Sequence, residues 1–355
     1  MRYDPIHETW VSIAEKRNRR PHDMGCPLEK TSTASTEANS RVYCPFCEGH
    51  EAETPSERDF LLDERTLDNY RKPNSPGWMV RAVPNRYPFV QPDGKDGQEL
   101  PTDFASSVHP TGPYLEAPDF GMQEVLADVP RHVNSLSALT AEEFQYFVHF
   151  YRRRLHQIRK ERRWKYAQLF KNQGVDAGAS LSHTHSQIVA LPFVPAEVQR
   201  EQRFLQRYFE EHQTCYHCMV MDYERQAQCR IVTENEHFTV FCPFASRFPY
   251  EMRILPNLHM PDFVQVRLIE LDALSELLRQ LCTRLETQLG IRSYNLVLRN
   301  TPWEYTPEGK AQGDSHFHWR MEILPRVTKM AGYEFGTGCY VNPIPPERAA
   351  KELRF

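Results

Sequence analysis

The chain has 355 residues, 40% of them hydrophobic, which is enough for one large domain or two of ordinary size. A net charge of −4 gives no indication of a nucleic-acid-binding or membrane-surface protein, and no apolar run is long enough to span a bilayer. The first ten residues, MRYDPIHETW, lack the apolar segment of a secretory signal, so we expect a cytoplasmic protein.

Loops and helices can be predicted from composition and periodicity. Residues 22–40 and 91–113 are rich in polar and turn-forming residues and predict two long loops. Residues 141–162 predict an amphipathic helix, and residues 268–289 predict a second one. The apolar stripe of the first helix is expected to consist of Phe144, Phe147, Val148, Tyr151, Leu155 and Ile158.

The two helices occupy similar places in two similar passages, which indicates an internal repeat. Each passage has a histidine before the helix, a strand-like segment after it, and an H-x-H pattern leading into an apolar run closed by Leu-Pro. These histidines are His132 with His183/His185, and His259 with His316/His318. We therefore predict an α+β chain of two halves, residues 1–195 and 196–355, each an antiparallel sheet crossed by one helix.

Four of the nine cysteines form two Cys-x-x-Cys pairs. In a reducing compartment such pairs are typical of metal ligands or redox pairs, although they can also be merely buried cysteines. Zinc prefers four nitrogen or sulfur ligands, and a metal with four protein ligands would be structural. The predicted zinc sites are Cys44, Cys47, His132 and His183 in the first half, and Cys215, Cys218, His259 and His318 in the second.

The stretch HTHSQIVALP predicts a strand with a chemically useful face, because residues two apart share one side of a strand. If His183 binds zinc, His185 is free to act as a nucleophile, since a neutral imidazole is available near pH 7. Gln187 would then bond a phosphoryl oxygen without adding negative charge, and the small residues of 170–182 suit a phosphate-binding loop. These residues alone leave open that both histidines bind metal, or that both are ordinary surface or core histidines.

Several passages resemble the galactose-1-phosphate uridylyltransferase family, a branch of the histidine-triad (HIT) superfamily: CPFCEGH, RHVNSLSAL, KNQG with AGASLSHTHSQIVALP, and GYEFGTGCYVNPIPPE. The resemblance implies two HIT-like halves, a homodimer, and ping-pong transfer through a covalent nucleotidyl-histidine. It implies that His185 is the nucleophile and that Gln187 supports the phosphoryl oxygens. The matching positions expected to bind substrate are Arg17, Arg20, Asn85, Asn172, Ser180, Tyr333 and Glu334.

Some positions depart from the family pattern. Thr184 stands where the familiar His-Pro-His motif has proline. One branch holds a second metal with a glutamate and three histidines, of which Glu201, His316 and His318 are matched while Arg299 stands at the fourth position. The second Cys-x-x-Cys pair instead resembles a zinc site of ADP-glucose phosphorylases, and the GTGCYVN pattern also occurs in that branch.

We therefore predict a UDP-glucose–hexose-1-phosphate (galactose-1-phosphate) uridylyltransferase of galactose metabolism. Its substrates would be a nucleotide sugar and a sugar 1-phosphate, with no nucleic acid or membrane partner. One alternative is an ADP-glucose phosphorylase, which transfers an adenylyl group to phosphate. The other is a non-catalytic, zinc-stabilised, nucleotide-binding HIT-like protein.

Overall fold

A computed structural model describes residues 1–19, 43–62, 71–92, 104–303 and 316–355. Arg20 and the predicted loop at 22–40 therefore lie outside the described residues. The strands are β1 (Arg2–Asp4), β2 (Thr9–Ile13), β3 (Asp59–Leu61), β4 (Val80–Pro84), β5 (His109–Thr111), β6 (Tyr114–Glu116), β7 (Met122–Ala127), β8 (Tyr166–Gln173), β9 (His185–Leu191), β10 (Ile231–Glu234), β11 (Phe238–Phe241), β12 (Met252–Pro256), β13 (Tyr294–Arg299), β14 (Arg320–Pro325) and β15 (Tyr340–Asn342). The helices are α1 (Ala141–Lys160), α2 (Ala196–His212), α3 (Tyr216–Ala227), α4 (Leu268–Thr283), α5 (Gly332–Thr337) and α6 (Pro346–Leu353).

Ten strands form one antiparallel sheet in the order β3-β4-β7-β9-β8-β13-β14-β12-β11-β10. Read from either edge inwards, the two five-stranded halves have the same order, and α1 and α4 occupy equivalent places between their strands. The α+β prediction is confirmed. The halves do not have separate sheets, however, because β8 and β13 pair across the centre with Asn172 opposite Asn295.

Both predicted amphipathic helices are present. Thr140 and Glu143 form a capping box that satisfies their own two backbone amides at the start of α1. The predicted stripe from Phe144 to Ile158 is buried throughout, and α1 packs beside α4 over the sheet in one core shared by both halves. The second helix runs on from Thr283 into a short π-helical turn, Arg284–Gln288.

Two smaller features complete the fold. The predicted loop at 91–113 ends in a hairpin, since β5 pairs with β6 around Gly112, whose positive φ of 61° suits glycine. Strands β1, β2 and β15 form a separate three-stranded sheet that joins the N-terminal segment to the C-terminal region. Within the described ranges, no helix combines the length and apolar character needed to cross a membrane.

Candidate active site and metal centres

The first Cys/His cluster has the spacing of a tetrahedral metal site. Cys44 and Cys47 lie on one tight turn, closed by a 3.2 Å hydrogen bond from the Cys47 amide to the Cys44 carbonyl. His183 Nδ1 lies 3.6 and 3.5 Å from their two sulfurs, and His132 Nδ1 lies 3.5 Å from Cys47 Sγ. Zn–S and Zn–N bonds of ordinary length at a tetrahedral angle separate sulfur from nitrogen by about 3.6 Å. The four residues therefore fit zinc.

The second cluster repeats this arrangement at the start of α3. Cys218 Sγ lies 3.5 Å from the Nδ1 atoms of both His259 and His318. Cys215 completes the four, and its thiol pKa is lowered far below the ordinary value, chiefly by the hydrogen bond from Cys218. Both clusters supply four protein ligands, which is the donor set of a structural zinc site with no open position for water.

Equivalent histidines in the two clusters are oriented in the same way. His183 Nε2 bonds the carbonyl of Val129 at 2.9 Å, and His318 Nε2 bonds that of Pro256 at 3.1 Å. Because a carbonyl only accepts, each Nε2 carries the proton and each Nδ1 is left to bind metal. His183 therefore corresponds to His318, as in the two predicted ligand sets, whereas the order of the histidines in the two H-x-H patterns would match it with His316.

This correspondence places Arg320, two residues beyond the cluster histidine His318, at the position that His185 holds in the first half. Arg320 is fully buried and pairs with Glu201 and with Glu322, whose carboxylate lies 2.8 Å away. Burial raises the pKa of Glu201, but the positive charges around it, chiefly that of Arg320, outweigh this effect and hold the pKa far below the ordinary value. The second half thus carries a buried ion-pair network where the first carries an imidazole. Glu201 is paired with Arg320 in this network, and His316 is hydrogen-bonded to Gln202. The second metal site that one family branch builds from a glutamate and three histidines is therefore not formed by these residues.

His185 opens β9 with its imidazole buried and its tautomer fixed. Its Nδ1 donates to the carbonyl of His183 at 2.8 Å, so Nε2 keeps a free lone pair. Burial lowers the pKa of His185 below its usual value of 6.5, which favours the neutral ring. The centroid of the Phe46 ring, on the turn that carries Cys44 and Cys47, lies 5.4 Å from that of the His185 imidazole. The same turn therefore forms one side of the site.

A cavity of about 300 Å³ opens beside His185. The predicted residues that line it are His185, Gln187, Asn85 and Ser180. Gln123 Nε2 donates to Gln187 Oε1 at 3.0 Å, which leaves the Gln187 amide nitrogen as a donor for the cavity. Arg86, which also lines the cavity, adds positive charge. Sequence reasoning missed Phe46, Arg86 and Gln123; only Phe46, inside the Cys-x-x-Cys motif, carried a signal.

The predicted phosphate loop turns through two glycines, Gly174 and Gly178, with positive φ values of 80° and 85°. A Cβ on Gly174 would lie 2.6 Å from the carbonyl oxygen of Arg292, so the loop needs glycine there. Asn172 is not among the cavity-lining residues. Its Oδ1 accepts a 2.8 Å bond from Asn295 across the central strand pair.

The remaining predicted substrate residues lie by the three-stranded sheet. Arg17 is exposed on a 3-10 turn, Glu15–Arg19, that follows β2. Tyr333 is half exposed on α5, and Glu334 accepts the Ala331 amide at 2.9 Å as the cap of that helix. None of these three lines the His185 cavity of the same chain.

Comparison with known proteins gives two family matches. The family described as galactose-1-phosphate uridyl transferase, N-terminal domain, matches residues 1–195. A domain of unknown function, DUF4921, matches residues 127–354. An ADP-glucose phosphorylase of Arabidopsis thaliana is 31% identical over all of this chain and 92% of its own length. A galactose-1-phosphate uridylyltransferase of Thermotoga maritima is 26% identical over all of this chain and 97% of its own length.

Solved structures agree with these relatives. The crystal structure of an Arabidopsis thaliana ADP-glucose phosphorylase with bound ADP-glucose superposes with a TM-score of 0.78 at 29% identity, covering 99% of this chain and 97% of that one. A uridylyltransferase structure gives a TM-score of 0.70 at 25% identity, covering 99% of this chain and 96% of that one.

Proposed function

This chain belongs to the galactose-1-phosphate uridylyltransferase family, and we propose that it transfers the nucleotidyl group of a nucleotide sugar through a covalent bond to His185. It is a nucleotidyltransferase of the type that includes galactose-1-phosphate uridylyltransferases and ADP-glucose phosphorylases. The observation that carries this proposal is the free Nε2 lone pair of a buried, orientated His185 at the cavity. An imidazole in that state is a competent nucleophile.

In the first displacement, the Nε2 lone pair of His185 forms a bond to the α-phosphorus of the nucleotide sugar. The bond from that phosphorus to the bridging oxygen breaks, and sugar 1-phosphate leaves with the electron pair. The Nδ1 proton stays on the ring and keeps its bond to the His183 carbonyl, which stabilises the charge that develops on the imidazole. The Gln187 amide nitrogen, held by Gln123, donates to an α-phosphoryl oxygen in the transition state.

For the second displacement we propose inorganic phosphate as the acceptor and ADP-glucose as the donor. A phosphate oxygen attacks the adenylyl phosphorus, the N–P bond breaks, and ADP leaves a neutral His185. The second Cys/His cluster and the GTGCYVN pattern, both similar to the phosphorylase branch, support this choice, as does the 31% identical relative.

Uridylyl transfer from UDP-glucose to galactose 1-phosphate, which the resemblance of the sequence motifs favoured, is the second candidate. The uridyl transferase family match over residues 1–195 favours it. The two candidates share His185 and both metal clusters, so they differ only in the nucleobase and in the acceptor.

Intact-mass spectrometry separates the candidates when the protein is mixed with ADP-glucose or UDP-glucose without any acceptor. We expect an adenylyl adduct that maps to His185 and disappears when phosphate is added, with release of ADP. A uridylyl adduct that is discharged by galactose 1-phosphate would support the second candidate. If neither nucleotide sugar gives an adduct, the covalent mechanism is contradicted and the nucleotide-binding module is favoured.

We also propose that residues 1–195 and 196–355 are the two HIT-like units, and that the protein is a cytoplasmic homodimer. A dimer would explain why Arg17, Tyr333 and Glu334 lie away from the His185 cavity of their own chain, since a partner could supply them. The free cysteines of both clusters suit a reducing compartment. Sedimentation equilibrium is expected to give twice the chain mass, and a single-chain mass would contradict the dimer.

A further inference from the structure

A buried lysine lies behind the strand that carries the proposed nucleophile. Lys171 of β8 is 1% exposed, and all three of its ammonium protons have acceptors. These are Asp128 Oδ2 at 2.6 Å, Thr184 Oγ1 at 2.6 Å, and the backbone carbonyl of His185 at 3.0 Å. Lys171 thus bonds the main chain of His185 and the side chain of the residue before it.

The sheet register places this group on the face opposite the cavity. Phe170 pairs with Gln187, so Lys171 lies beside Ser186, whose side chain points away from those of His185 and Gln187. Ser186 Oγ donates to Asp128 at 3.0 Å and also bonds the Tyr151 hydroxyl of α1. The network therefore anchors the start of β9 to β8, to the end of β7 and to the helix layer, without touching the cavity.

The residue between the two histidines of HTH is held at three points. The Thr184 amide donates to the Val133 carbonyl at 2.7 Å, and the Asp128 amide donates to the Thr184 carbonyl at 3.3 Å. The third point is the hydroxyl, which accepts from Lys171. Proline, which stands here in the familiar motif, would fix φ by its ring but has neither an amide proton nor a hydroxyl. In this chain hydrogen bonds to Thr184 restrict the same peptide.

We propose that Lys171 is a positioning residue for the nucleophile, acting through the Thr184 hydroxyl and the His185 carbonyl. It holds the peptide between the metal ligand His183 and His185, so that Nε2 stays aligned for in-line attack on the α-phosphorus. The inference rests on the proposed function of His185. Loss of this alignment is expected to slow the reaction strongly, because a displacement of about 1 Å in a reacting group can cost roughly 100-fold in rate.

Thr184→Val tests the proposal without leaving a buried charge unpaired, since Lys171 keeps Asp128. We expect the single-turnover rate of adduct formation on His185 to fall by about 10-fold or more, with the dissociation constant for the nucleotide sugar within about twofold. Thr184→Ser restores the hydroxyl and is expected to recover most of the rate. Zinc content and melting temperature, measured in parallel, show whether the fold is retained. An unchanged rate in Thr184→Val, or an equal loss in Thr184→Ser, would overturn the proposal.

A second test addresses the lysine itself. Lys171→Met alone would strand the Asp128 carboxylate in the core, so it is combined with Asp128→Asn. We expect this pair to slow adduct formation at least as much as Thr184→Val, and adding Thr184→Val to it should cause little further loss. Fully multiplicative losses would show that the threonine and the lysine act independently, contrary to the proposal. If the wild-type protein forms no adduct, the proposed function fails first, which is a different result from an active wild type with unaffected variants.

Discussion

Replacing His185 by glycine is expected to abolish nucleotidyl transfer, lowering kcat by at least about 10⁴-fold. The reason is geometric: His185 is the imidazole at the cavity, and its tautomer leaves the attacking nitrogen unprotonated. The glycine variant leaves a space the size of the lost ring beneath Phe46. Added imidazole is therefore expected to restore part of the turnover, and a preformed nucleotidyl-imidazole should serve as a donor to the acceptor.

The matched control is His212→Ala, which removes an exposed imidazole at the end of α2. This variant should leave kcat unchanged, and added imidazole should have no effect on it. The variant His185→Gly should retain its metal, because His185 is not one of the four ligands of either cluster. Full turnover in His185→Gly would exclude the proposed nucleophile. Rescue by imidazole, by contrast, is an outcome that a merely structural histidine would not give.

Local sequence patterns predicted the elements that carry the site, because amphipathic periodicity reports which face of a helix is buried. The stripe of α1 follows from such a short-range signal, whereas the two predicted ligand sets came from the Cys-x-x-Cys pairs and the repeated histidines, and they match the two Cys/His clusters. The join between β8 and β13 could not be predicted, since two edge strands that pair without a connecting turn leave no local signal.

Supporting residues were missed for a related reason. Strand register brings Lys171, Asp128 and Gln123 to their hydrogen-bond partners, which lie 13 to 64 residues away along the chain. A lone lysine in a strand-like segment is usually a solvent-facing residue, so its burial had no sequence signal. The two H-x-H patterns are also offset by two residues, because His183 of the first corresponds to His318 rather than to His316 of the second, as the two predicted ligand sets already required.

The nucleobase preference could not be predicted from the sequence for a similar reason. The cavity is lined by residues from the turn after β4, including Asn85, and from the loop before β9, including Ser180, and the recognition of a base depends on the conformation of such loops. Loop conformation of this kind is set by tertiary contacts, for example the hydrogen bond that the Asn85 amide donates to the Gln123 carbonyl at 2.9 Å. Residue types alone therefore predicted the reaction chemistry better than the substrate.

Removing the first metal site is expected to affect both stability and catalysis. In Cys44→Ser or His183→Ala, zinc analysis by mass spectrometry should show the loss of one equivalent per chain. The free energy of unfolding should fall by about 3 kcal/mol or more, since structural zinc contributes directly to folding. Adduct formation should also fail, because the His183 carbonyl fixes the Nδ1 proton of His185 and the Cys-x-x-Cys turn carries Phe46 against its ring.

The second site offers a matched comparison, since its ligand set is the same while its neighbour is the buried Arg320 rather than an imidazole. Cys215→Ser should lose one zinc and a similar amount of stability, yet folded protein should form the adduct within about threefold of the wild-type rate. Cys229→Ser, which changes an exposed free thiol, should lose neither zinc nor rate. Equal zinc loss in His183→Ala and His185→Gly would contradict the division of labour within HTH. An equal loss of adduct formation in Cys44→Ser and Cys215→Ser would instead show that the second half takes part in the reaction. The two sites differ chiefly in the residue two positions beyond the ligand histidine, which is His185 in the first half and Arg320 in the second.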